Sequence, residues 1–241
     1  KGYIFLLIKI FYRVLGYDNL VSSQMANVLY VFGVAGMVMG SIHAIYETDT
    51  RRMTAYSSVA QIGYIYMGMG LGTPYGMVAA LFHIFTHSAT KALLFISAVG
   101  LYEASGDKKD YISLRGAGYR NPLAGIGFAV GSLSMVGFPM LSGFISKLLF
   151  ATSALESPHK MLPTIIVLAV STTLNAVYVL RLVITLYSRR RPEDAPIPET
   201  RVRSSWPLRV AILCFIGVNL FLGLASQPIV QAIADGLAIF G

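Results

Sequence analysis

Apolar residues gather along this chain into seven long runs, at about 1–15 (the shortest), 25–45, 54–72, 75–102, 122–153, 161–187 and 206–226. About 20 apolar residues suffice for a helix to cross the hydrocarbon core of a bilayer, so each run predicts a transmembrane helix. The fifth is too long for one simple crossing and holds GFPMLSG at 137–143. Proline removes a backbone donor and clashes with the preceding turn, so the helix is predicted to break there. After Pro228 a short apolar tail, IVQAIADGLAIF, is predicted to lie along the membrane interface. The longest polar stretches, 103–121 and 188–209, are too short for a soluble domain.

Composition agrees with this pattern. Only 12% of the 241 residues are charged, half the roughly 25% of a soluble domain, and the mean hydropathy is +0.65. The single cysteine, Cys214, excludes a disulfide framework and a cysteine-ligated iron–sulfur cluster. The net charge of +8 resides between the apolar runs, which marks loop anchoring and not nucleic-acid binding. Alternate loops hold Arg51 and Arg52, then Lys108, Lys109, Arg115 and Arg120, then six arginines between 189 and 209. The intervening loops hold only Arg13 and Lys160. Twelve against two predicts that the basic loops are cytoplasmic, which puts the C-terminus outside. The expected setting is the plasma (inner) membrane of a prokaryote. Residue 1 is Lys, and the opening is already apolar without a signal-peptide n-region. The expectation is that the chain starts partway along a helix and is the C-terminal portion of something longer.

Within this oily background, FHIFTHSATKALLF (82–95) places His83, His87 and Lys91 four residues apart. Each step advances the side chain about 40° past a full turn, so the three share one helix face along roughly 12 Å. A lysine in hydrocarbon costs a few kcal/mol and normally faces a protein interior or a hydrated cavity. Lys91 falls near mid-span, and Lys147 follows the predicted break, where irregular backbone is tolerated only if buried in protein or lining a cavity. Histidine titrates near neutrality and a desolvated amine releases its proton more readily, so such a line with intervening water is a candidate proton relay. The competing reading has His83 and His87 as packing groups bonded to a neighbouring carbonyl or hydroxyl. The HIFTH spacing resembles a zinc pair but lacks the Glu of HExxH and an evident third ligand. Haem would require axial ligands facing each other from different helices, and only His43 offers itself.

On the preceding run, Ser57, Ser58, Gln61 and Tyr64 form a polar stripe that suits either water or inter-helix hydrogen bonding. Lys9 suits an interface and Arg181 the cytoplasmic end of its span. Arg51 and Arg52 read as anchors near Glu47 and Asp49. No carboxylate sits centrally in any run. A lysine whose protonation is to be switched calls for one, which would have to come from another segment or chain.

Three stretches, TDTRRMTAYSSVAQIGY, ALFHIFTHSATKALLF and GFPMLSGFISK, resemble in this order the signature segments of the proton-conducting antiporter-like membrane subunits. That family comprises the large membrane-arm subunits of respiratory NADH:quinone oxidoreductase (complex I), related hydrogenase subunits and Mrp-type Na⁺/H⁺ antiporter subunits. The resemblance implies an all-α membrane protein of fourteen helices, of which this chain supplies about the last seven, including one discontinuous helix. Residues 1–20 then end the first of two inverted repeats, 21–190 form the second, and 191–241 supply a cytoplasmic loop, the final transmembrane helix and the interfacial tail. Lys91 matches the central lysine, Lys147 the lysine of the discontinuous helix, His83 and His87 the histidines leading to the centre, and Lys1 the lysine connecting the half-channels. Arg51 stands where the family has lysine, and a guanidinium does not readily deprotonate, so no transfer role carries to it.

The function implied is proton translocation within a complex I-like redox assembly, with no cofactor in this chain and the redox chemistry in its partners. The alternative is a subunit of an Mrp-type antiporter without redox activity. The partners implied are other membrane subunits, the missing N-terminal half and the bilayer; the ion is the proton, and whether Na⁺ also moves is open.

Overall fold

The computed structural model describes residues 2–189, 191 and 203–239, so Lys1 lies outside the described residues. The chain folds as helices α1 (Gly2–Ile10), α2 (Tyr17–Ser22), α3 (Met25–Tyr46), α4 (Thr50–Gly70), α5 (Pro74–Glu103), α6 (Ala117–Arg120), α7 (Pro122–Val136), α8 (Ser142–Ala154), α9 (Pro158–Leu186), α10 (Trp206–Leu224) and α11 (Ser226–Ala238). A π-helical turn over Phe11–Leu15 extends α1. Among the described residues α3, α5, α9 and α10 are long and apolar enough to cross a membrane. Residues 54–72 fall within or just past α4, and 122–153 divides into α7 and α8.

Helix starts follow from capping residues. The Asp49 carboxylate accepts from the amides of Arg51 (2.8 Å) and Arg52 (3.0 Å). This N-cap makes the arginine pair helical and starts α4 four residues earlier than the apolar pattern suggested. Thr73 accepts from the Gly76 amide at 3.0 Å, and Pro74 occupies the first helical position of α5, where its missing donor costs nothing. The terminal helix begins at Ser226, ahead of Pro228, because proline is tolerated in a first turn.

Helix α5 is the hub: it packs against α4, α7, α8, α10 and α11. Its Phe85 and Phe95 face outward while the row at 83, 87 and 91 faces inward. Beside it, α3 and α4 lie almost in backbone contact; a Cβ on Gly33 would stand 2.3 Å from the Met67 nitrogen. Small residues permit such close helix approach in membranes.

The polar stretch after α5 folds back as a cap. The Thr50 amide donates to the Lys109 carbonyl (3.1 Å) and the Tyr111 amide to that of Thr48 (3.2 Å). The buried Arg120 guanidinium donates to the Ala104 (2.7 Å) and Arg115 (3.0 Å) carbonyls and the Ser105 hydroxyl (3.2 Å). Burial pushes the Tyr111 phenol up to about 12, against the opposing pull of Arg181, whose guanidinium stacks 5.1 Å from that ring.

The predicted break is sharp. Gly137 ends α7 at φ +94°, with its amide donating to Ser134 O and the Phe138 amide to Leu133 O, both 3.0 Å. This is a Schellman arrangement, and glycine reaches that left-handed conformation without a Cβ penalty. Five residues later α8 begins at Ser142.

Candidate functional site

His83, His87 and Lys91 are each no more than 5% exposed, so none points at lipid. Their surroundings are polar. His83 Nδ1 lies 2.6 Å from the Ser146 hydroxyl of α8, and its ring stacks on Tyr64 at 5.5 Å and on His87 at 6.0 Å. The Lys91 amine leaves the row and turns to α4, donating to the Thr54 carbonyl (2.8 Å) and the Ser57 hydroxyl.

Lys147 reaches back across the break from the second turn of α8. Its amine donates to the carbonyl of Val136, the last residue of α7, at 2.6 Å, and lies 5.7 Å over the Tyr64 ring. A helix C-terminus carries partial negative charge on carbonyls without helical partners, so it suits a cation. The break therefore makes the acceptor that holds the lysine.

One small cavity joins the two histidines to Lys147. Gln61, His83, Thr86, His87, Thr90, Ser134, Met135, Gly143 and Lys147 line it, and its volume of about 10 Å³ has room for roughly one water. Gln61 Nε2 is buried without a hydrogen-bond partner among the described residues. A buried amide donor left so costs about 1–3 kcal/mol, so a water-sized space beside it is physically apt. Two parts of the α4 stripe thus take different tasks: Ser57 holds Lys91, and Gln61 faces the cavity. Ser58 bonds its own helix, at Thr54 O (3.1 Å).

The remaining sequence-predicted residues lie elsewhere. Lys9 is exposed, beside Arg13, on a groove between α1, α5 and α11. Arg52 pairs with Glu47 at 3.4 Å, and Arg181 donates to the Ile45 carbonyl at 3.0 Å. His43 stacks on Tyr56 at 5.2 Å and bonds Met39 O, away from the row. Lys1 lies outside the described residues.

Sequence reasoning missed two buried asparagines. Asn175 Oδ1 accepts from Ser41 (3.1 Å) and Tyr178 (2.8 Å), while its amide faces the Tyr64 hydroxyl at 3.5 Å. Asn219 Oδ1 lies within hydrogen-bonding distance of the Thr90, Ser134 and Ser142 hydroxyls. The available signal was a lone amide in an apolar run, since polar side chains inside membranes tend to face protein partners.

A helical bundle with crossing-length apolar helices, a broken helix and an interior lysine–histidine constellation defines an integral membrane protein of the antiporter-like class. The chain belongs to the NADH:quinone oxidoreductase/Mrp antiporter transmembrane family, which it matches over residues 4–174. It is 32% identical over 234 residues to NADH-quinone oxidoreductase subunit N of Desulforudis audaxviator (strain MP104C), covering 91% of this chain and 46% of that protein. Among solved structures, a chain of the Mrp complex from Dietzia sp. DQ12-45-1b overlays with a TM-score of 0.78 at 22% identity, covering 93% of this chain and 50% of that one. A chain of respiratory complex I from Thermus thermophilus overlays at 0.65 with 26% identity, covering 86% and 45%. The chain spans about half the length of the curated relatives it matches.

Proposed function

We propose that this chain translocates protons as the C-terminal half of an antiporter-like membrane subunit of a respiratory NADH:quinone oxidoreductase. The observation that carries this reading is the meeting of His83, His87 and Lys147 around one water-sized cavity, with Lys91 on the next turn of the same helix. Imidazoles both accept and donate protons near neutral pH, and one water bridges gaps that direct hydrogen bonds do not. Protons pass between Lys91 and Lys147 by way of His87, His83 and the cavity. Lys147 is the exchange point toward one side, and Lys1 the entry from the first repeat. A charged group in that repeat or in a neighbouring subunit sets the protonation of Lys91. Residues 21–190 act as the second repeat, with the basic loops cytoplasmic and the C-terminus outside. Flavin, quinone and NADH chemistry belong to partner subunits.

Sequence similarity to the subunit N protein over 91% of this chain supports the redox assembly. The family that the chain matches also takes in Mrp antiporters, which supports a second reading, an antiporter subunit without a redox partner. Lys91→Ala in the full-length protein tests the relay, read in inverted vesicles as protons moved per electron transferred. The expected result is retained quinone reduction with proton pumping lost; undiminished pumping refutes it. Cation-driven proton exchange without NADH turnover would select the antiporter reading.

A further inference from the structure

We propose that Asn219 is the positioning residue for Lys147, holding the two lips of the broken helix in the register that presents the amine to the Val136 carbonyl and the cavity. This rests on the reading that Lys147 exchanges protons.

Asn219 lies on α10 and is fully buried. Its Nδ2 donates to the Phe215 carbonyl at 2.9 Å, which orients the amide. The oxygen then points to three hydroxyls from three other helices: Thr90 of α5 at 2.8 Å, Ser134 of α7 at 3.0 Å and Ser142 of α8 at 2.9 Å. The hydroxyls also touch one another, Thr90–Ser134 at 3.1 Å and Ser134–Ser142 at 3.0 Å. One amide oxygen therefore ties four helices together at the break.

A carbonyl oxygen offers two lone pairs, and three hydroxyls compete for them. Two donate to Oδ1 while the third donates to a neighbouring hydroxyl, so the cluster stays satisfied in several arrangements without heavy-atom movement. Ser134 sits in the last turn of α7 and Ser142 at the first position of α8, on either side of the break. Ser134 stands two positions before Val136, whose carbonyl takes the Lys147 proton donor, and Ser142 begins the helix that carries Lys147. Any change in their separation passes directly to the amine. No backbone hydrogen bond of the ordinary helical kind spans 137–141 to hold that register, and a polar clamp in hydrocarbon has no bulk water competing for it. Thr90 and Ser134 also line the cavity, so the clamp fixes one wall of the space that Lys147 shares with the histidines.

The test uses the full-length protein in inverted vesicles, with protons moved per electron measured against pH and the amount inserted checked by immunoblot. Asn219→Leu keeps the branched shape with bulkier methyls in place of the amide and removes the acceptor; it is expected to slow proton transfer between roughly tenfold and a hundredfold, as a misplacement near 1 Å does, and to displace the pH profile. Asn219→Asp retains an oxygen at the same place and is expected to recover most of the rate. Asn219→Leu combined with Lys147→Ala should be no slower than Lys147→Ala alone, because the amide acts through the lysine. Wild-type transfer and pH profile in inserted Asn219→Leu overturn the proposal, as does a loss that multiplies with that of Lys147→Ala. If Asn219→Leu fails to insert, Ser134→Ala and Ser142→Ala each remove one arm, and an unmoved pH profile in both overturns it. Undiminished transfer in Lys147→Ala would instead sink the underlying role of Lys147.

Discussion

Replacing Gly143 with Ala puts a methyl where the two lips of the break meet. A Cβ there would stand 1.8 Å from the Ser134 carbonyl oxygen and 2.8 Å from its carbon, both backbone atoms that no side-chain rotation can move aside. Cβ contacts essentially never fall below 3.0 Å, so α8 must retreat from α7 by about 1.2 Å. Overpacking of this kind costs about 1–3 kcal/mol of stability. The effect on the site is larger. If the shift is taken up along the bond from Lys147 to Val136, its 2.6 Å grows to about 3.8 Å, beyond hydrogen-bonding range. A misplacement near 1 Å costs a reacting group about a hundredfold, so under the proposed relay Gly143→Ala should lose at least tenfold in proton transfer per electron. Inverted vesicles of the full-length protein provide the assay, with Gly217→Ala as control. A Cβ on Gly217 meets nothing within 4 Å, and alanine there should be neutral or stabilising by up to about 1 kcal/mol. Equal transfer in the two variants at equal insertion would refute the claim that the α7–α8 approach sets the lysine.

Two further outcomes concern the frame around the site. Asp49→Ala removes the cap of α4 and should cost about 1 kcal/mol, read as a lower thermal midpoint in detergent. Arg120→Ala strips the Ala104, Arg115 and Ser113 carbonyls and the Ser105 hydroxyl of a donor in the folded-back segment and should cost about 1–3 kcal/mol, with faster proteolysis between 104 and 116. Arg120→Lys should not restore protection, since one ammonium cannot reproduce the planar fork of the guanidinium.

Much of the architecture is legible one residue at a time. Apolar runs locate the long helices because hydrocarbon accepts only backbone that bonds to itself, which makes length and hydropathy sufficient signals. The break at 137–143 is readable because Gly137 and Pro139 are local chemistry. The inward face of α5 follows from a period of four between His83, His87 and Lys91. Less legible was the start of α4, where the Asp49 cap overrides a polar opening that reads as loop.

The candidate site divides in the same way. Composition, periodicity and the glycine–proline break determine by themselves that this chain is a helical membrane protein with basic groups buried beside a discontinuity, because each depends only on neighbours along one helix. Sequence spacing put Lys91 in line with the histidines, yet the fold sends its amine to Thr54 and Ser57 and brings Lys147 to the cavity instead. The assembly of Thr90, Ser134, Ser142 and Asn219 is likewise a tertiary outcome. These residues are up to 129 positions apart, and which hydroxyl meets which amide depends on how four helices rotate and slide against one another, a choice no single stretch of sequence encodes.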